Sequence, residues 1–165
     1  MAETMRSKER DFTVTRTLDA PVERVWRAWT TAEDVRRWWG PRGFTAPVAE
    51  MDVREGGRSL VAMRAPEGPL LYNTWTYRNI VPRERFEFIT HFCDAEGRTV
   101  DPVALGLPAE LSRGVRSLVT LRALAGGRTE LRVTEYGYTS EEVMALSRQG
   151  LEECLDKMAD LVAGS

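Results

Sequence analysis

The stretch Thr139–Val162 reads TSEEVMALSRQGLEECLDKMADLV, and it decides the architecture. Val143, Met144, Leu151, Cys154, Leu155, Met158, Leu161 and Val162 fall close to one stripe at helical spacing. Thr139 or Ser140 offers a cap, and Glu141 and Glu142 put acid in the first turn. A helix this long, apolar on one side only, needs a surface to lie on.

The residues before it supply that surface. Segments such as Arg85-Phe86-Glu87-Phe88 and Glu130-Leu131-Arg132-Val133 alternate polar and apolar, the signature of strands with one buried face. Strands are expected at 11–18, 44–53, 58–65, 70–80, 85–92, 115–124 and 129–136. Two short helices follow the first strand. Pro21 sits in the first turn of one, with Asp19 or Ala20 before it and Val22, Val25, Trp26 and Trp29 as its buried stripe. Thr30 or Thr31 caps the other, which ends at Trp38-Trp39 before Gly40-Pro41. Gly56-Gly57 and Gly126-Gly127 read as hairpin turns and not as phosphate loops, since neither opens a helix. Cys93 to Gly114 is a long excursion with Pro and Gly, with a short helix near Val103–Leu105; such a loop is often a lid or binding loop. The fold class is therefore α+β: a curved antiparallel sheet gripping a long C-terminal helix. Residues 1–10 form a flexible tail and residues 11–165 one domain.

Bulk properties narrow the partners. The chain has 165 residues, 42% hydrophobic and 29% charged, with a net charge of −2. That balance lacks the basic surplus that non-specific nucleic-acid binding needs. No stretch approaches the roughly 18–20 apolar residues of a membrane span, and the start lacks the apolar region of a secretory signal. Cys93 and Cys154 are far apart in sequence and have no ligand-spaced partner, which points to buried free thiols in a reducing, cytoplasmic setting.

A family resemblance rests on several landmarks. They are Ala20-Pro21-Val22-Glu23-Arg24-Val25-Trp26, Arg37-Trp38-Trp39-Gly40-Pro41-Arg42-Gly43-Phe44-Thr45, and Asp52-Val53-Arg54-Glu55-Gly56-Gly57. Tyr77-Arg78-Asn79-Ile80-Val81-Pro82 and Gly126-Gly127-Arg128-Thr129-Glu130-Leu131 complete the set. In this order the chain resembles the bacterial homologues of the activator of the 90-kDa heat-shock-protein ATPase. These belong to the superfamily of START domains, polyketide cyclases and the birch-pollen allergen. The resemblance implies the helix-grip fold and a cavity for an apolar ligand. It does not imply chaperone work, because the eukaryotic activator binds its chaperone through a separate domain that this chain is too short to hold. Two departures concern volume. Trp75 stands where a Gly is common in such proteins, and Leu151 where a Trp is common; the first should fill pocket space and the second vacate it. A third concerns charge: Asn79 replaces a common Glu.

Alternation assigns the cavity to Met51, Val53, Met63, Trp75, Tyr77, Phe86, Phe88, Val119, Leu131 and Val133 from the sheet, and to Met144, Ser147, Leu151 and Leu155 from the closing helix. Trp38 joins them; of Trp38 and Trp39, one should pack inward and the other cover the sheet edge or the cavity mouth. Tyr72, Tyr77 and Asn79 are candidates to orient a ligand. No catalytic residue, metal site or cofactor is assigned: His91 is the only histidine, and alternation puts it on the face away from Phe86, Phe88, Thr90 and Phe92. Glu50 and Asp52 share a strand face and read as a solvated pair with Arg54 or Arg58 as partner.

Three functions follow in order. The first is a non-catalytic carrier or sensor of a small hydrophobic or aromatic molecule. The second is an enzyme of the polyketide cyclase/aromatase type or a hydrolase, with Tyr77, Asp52 and His91 as its candidates, which requires them inside the cavity. The third is a stress-related, co-chaperone-like interaction module using the excursion around Val103–Pro108, which could instead close the pocket mouth or make a homodimer contact. A hollow below about 300 Å³ would exclude a drug-sized ligand.

Overall fold

The computed structural model describes residues 9–164. The chain runs β1 (Arg10–Leu18), α1 (Val22–Thr30), α2 (Ala32–Trp38), β2 (Thr45–Glu50), β3 (Arg58–Arg64), β4 (Leu71–Val81), β5 (Arg85–Cys93), β6 (Val115–Leu124), β7 (Arg128–Tyr138) and α3 (Glu141–Ala163). The strands make one antiparallel sheet in the order β1-β7-β6-β5-β4-β3-β2. Hairpins generate β2 to β7 in sequence. β1 breaks the series by pairing with β7, so α1 and α2 carry the chain from one sheet edge to the other. The sheet is curved, and α3 lies along its inner face. Of the tail expected over 1–10, residues 1–8 lie outside the described residues, and Arg10 already belongs to β1.

Local chemistry sets the boundaries. Ser140 caps α3, its hydroxyl accepting from Val143 N at 3.2 Å. Pro21 lies one residue before α1, and its carbonyl accepts from Arg24 N and Val25 N. β2 stops at Glu50, short of the expected Val53, because Asp52 N turns to the Ser59 hydroxyl (3.1 Å) and the chain enters the Gly56-Gly57 turn. Only Gly56 there has positive φ (+72°). Gly57 is needed for closeness: a Cβ on it would stand 2.3 Å from the Asp52 carbonyl oxygen.

The excursion after β5 is tightly folded. Asp94 Oδ1 accepts from Glu96 N and Arg98 N, Val100 N donates to Phe92 O, and Asp101 Oδ1 accepts from Val103 N. The expected short helix is a 3₁₀ turn over Pro102–Leu105, and a second 3₁₀ turn, not foreseen, spans Ala109–Arg113. The Thr139 amide and hydroxyl both donate to Glu110, which ties this second turn to the start of α3.

The core is strongly aromatic. Trp29 and Trp38 meet edge-on at 4.7 Å between centroids, Trp75 lies 5.0 Å from both Phe88 and Trp39, and Trp38 Nε1 donates to Ala28 O at 2.7 Å. The C-terminal half of α3 seals this mass with Leu155, Met158 and Val162, all buried. Arg24 and Asp34, paired at 2.6 Å and largely buried, join α1 to α2.

Candidate functional site

The sheet's inner face changes character along its length. Trp75, Tyr77, Phe86, Phe88, Val119, Leu131 and Val133 form a solid floor with Trp38 and Leu155, all buried and packed together. These residues were expected to line a cavity, and they fill the space instead. Trp75 does what its bulk implies. Tyr77 cannot orient a ligand, because its phenol shares a 2.7 Å hydrogen bond with Ser59 and burial pushes its pKa well above the ordinary tyrosine value. Met51 and Val53 follow the end of β2, so strand alternation does not govern them; both pack against the core from the side. Met144 sits one position round from the helix stripe that faces the hollow and also packs against the core.

Beyond this floor the packing opens. Inner-face positions at this end of the sheet include Asn73 and Thr90, smaller than the Trp75 and Phe88 rings next to them. Opposite them α3 presents Val143, Leu146, Ser147, Gly150, Leu151 and Cys154, a stripe at i, i+3, i+4, i+7, i+8 and i+11. Small residues on both surfaces leave a cavity of about 380 Å³. Met63, Leu71, Asn73, Thr90, Phe92, Val115, Glu135 and Tyr138 line it from the sheet. Trp39, Pro41 and Phe44 close one side, and Leu107, Pro108 and Leu111 of the excursion close another. Of the residues expected on its wall, Met63, Ser147 and Leu151 are there. Trp39 takes the wall position and Trp38 the core. Leu146, 68% exposed, stands at the mouth.

Two polar residues that alternation could have found dominate the interior. Leu131 and Val133 face inward, and the same period of two puts Glu135 inward, where an acid is unexpected. A bulge then resets the strand: Phe12 pairs with Glu135 and Arg10 with Tyr138, so β7 spends one extra residue. Gly137, at φ +87°, absorbs it, with its N–H donating to Asp11 and its carbonyl accepting from Arg113. The bulge returns Tyr138 to the inner face, against Phe12 (5.7 Å), where its phenol donates to Glu135 Oε1 at 2.6 Å.

Burial pushes the Glu135 pKa up to about 7, against the opposing effect of the Tyr138 hydrogen bond. The Tyr138 phenol is itself held far above its ordinary value by burial and by the acid beside it. Burial likewise pushes the Cys154 thiol up to about 12, so it stays a neutral thiol. The wall contains no Lys, Arg or His. Lys157, one turn below Cys154, directs its ammonium to the carbonyls of Gly40 and Phe44.

The other candidates lie elsewhere. Neither Tyr77, Asp52 nor His91 lines the cavity, which removes the cyclase reading in the form that depends on them. Asp52 pairs with Arg54 at 2.9 Å in solvent. Gly114 packs against the His91 ring, so closely that a Cβ would meet Nε2 at 2.5 Å. Asn79, on a bulge at φ +55°, donates from its side chain to Glu87, and the Glu55 carboxylate accepts its N–H. Tyr72 lies off the wall. A second, polar groove of about 380 Å³ shares Leu111, Val115 and Tyr138 with the cavity, and Arg113 in it pairs with Glu9. Among the described residues both cysteines are free, no group of three or more His, Cys, Asp or Glu could hold a metal, and no helix is long and apolar enough to cross a membrane.

Comparison with known proteins follows the same architecture. A protein from Chromobacterium violaceum is similar at 28% identity, with 93% of this chain and 96% of that one covered and a TM-score of 0.75. A protein from Arthrobacter aurescens shares 24% identity over 94% and 87% of the two chains, with a TM-score of 0.76. The AHSA1 protein from Silicibacter pomeroyi has 17% identity, 93% and 98% coverage and a TM-score of 0.73. No curated protein matches the sequence. The family described as "Activator of Hsp90 ATPase homolog 1-like protein" matches residues 19–163. With that match over nearly its whole length and the helix-grip fold beneath it, the chain belongs to this family.

Proposed function

We propose that this protein binds a small, predominantly apolar molecule in the cavity between the sheet and the N-terminal half of α3, as a carrier or sensor. The observation that carries this reading is the hollow itself: about 380 Å³, with walls that are mostly aromatic and aliphatic and a few converging polar groups at Asn73, Thr90, Glu135, Tyr138 and Ser147. That volume and composition suit a ligand site. The excursion supports the same reading, since Leu107, Pro108 and Leu111 turn to the cavity and leave Val103 and Leu105 as its exposed large apolar residues. The two free thiols support a reducing compartment, the cytoplasm.

Native mass spectrometry of the purified protein should find a small molecule retained. Added apolar aromatic compounds should raise the melting temperature, because a ligand that binds only the folded state stabilises it. Leu151→Trp should fill the hollow and weaken that binding by about tenfold or more while the circular dichroism stays native. Unchanged affinity in a folded Leu151→Trp protein would place the ligand elsewhere.

Proton transfer is a second reading, favoured by one observation. Glu135, poised near neutrality with a phenol on it, has the pKa of a general base or acid. Turnover of the retained molecule that disappears in Glu135→Gln would establish it.

A further inference from the structure

The cavity has a charge asymmetry that a purely apolar guest does not use. Its wall carries one carboxylate and no cationic side chain. Glu135 Oε1 accepts from the Tyr138 phenol, and Oε2 has no donor among the described residues. The groups facing Glu135 from each neighbouring element are neutral or spent. Ser117 lies beside it on β6 and Phe12 on β1. Ser147 and the Cys154 thiol approach from α3. Beyond Tyr138 stands another acid, Glu110, close enough to act on the phenol. Of the cations on α3, Lys157 is bound to two carbonyls, and Arg148 lies over the Phe12 ring and pairs with Glu152.

The geometry points to an organic cation as the occupant: a protonated amine on an aromatic or aliphatic body, its ammonium on Glu135 and its body against the apolar wall. This rests on the reading of the cavity as a binding site and names the ligand's class. An ionised carboxylate away from water is costly unless something pairs it. An ammonium supplies the missing charge-assisted hydrogen bond, and the side chains of Trp39, Phe44, Phe92 and Tyr138 on the wall suit its aromatic or aliphatic body. A neutral guest leaves the acid uncompensated, and an anionic guest repels it. The raised pKa of Glu135, which comes from its burial, agrees with a carboxyl that gains from a cationic partner.

The test is calorimetric titration of the wild-type protein with three probes of one shape: naphthylmethylamine, naphthylmethanol and naphthoate. At about pH 8 the amine should bind at least about tenfold tighter than the alcohol, with naphthoate weakest. Glu135→Gln should abolish the preference for the amine over the alcohol. A readout independent of that variant is the pH profile: the wild-type amine-to-alcohol ratio should fall about fivefold to tenfold between about pH 8 and about pH 6, as Glu135 takes up its proton. Equal binding of amine and alcohol, or a flat ratio, would overturn the amine reading and leave the cavity reading standing. Failure of all three probes to bind would overturn both.

Discussion

Glu135 is where the energetics of this protein are least settled. A carboxyl ordinarily near 4.5 that titrates near 7 when folded binds its proton more tightly in the native state than in the unfolded one. Its contribution to stability is therefore complete below about 4.5 and is lost as pH rises through about 7. Replacing it by Gln removes the charge and keeps the shape. Glu135→Gln should leave stability nearly unchanged at about pH 4 and raise it by about 2–3 kcal/mol at about pH 8, read by urea unfolding across that range. The proposed site uses this one group.

At the scale of elements, the last turn of β7 does the positioning. Without the bulge, strand period would send Tyr138 away from the acid. Gly137 permits the extra residue because φ +87° costs glycine nothing and an L-residue roughly 1–2 kcal/mol. Gly137→Ala should lower stability by about that amount and loosen the Tyr138 hydrogen bond. Because that bond holds the Glu135 pKa down, its titration followed by NMR should move upward; an unmoved titration would show that the bulge does not set the pair's geometry. The bulge also marks a limit of reading by alternation. The period of two along Leu131, Val133 and Glu135 was on the page, but nothing local in Tyr136-Gly137-Tyr138 says on which side the chain resumes. Met51 and Val53 illustrate the same limit, since β2 ends before them once Asp52 N is taken by Ser59.

For the whole molecule, one packed half supports one hollow half. Trp75 is fully buried among Trp29, Trp38, Trp39 and Phe88. Trp75→Ala should cost about 3–5 kcal/mol and create a second void, measurable as a lower denaturation midpoint together with binding of small aromatic probes that the wild type rejects. The order of strands and helices and the grip of the sheet on α3 were legible from periodicity, because each depends on which face of one element is apolar; which of Trp38 and Trp39 reaches the cavity was not, and it is Trp39 rather than the expected Trp38. The helix stripe even named Ser147 and Leu151 on the wall. What only the tertiary structure decided was where along the sheet the packing stops. Facing apolar residues make core or cavity according to the summed volume of side chains from distant segments, and the hollow here brings together Thr90, Ser147 and Gly150, small residues far apart in the chain.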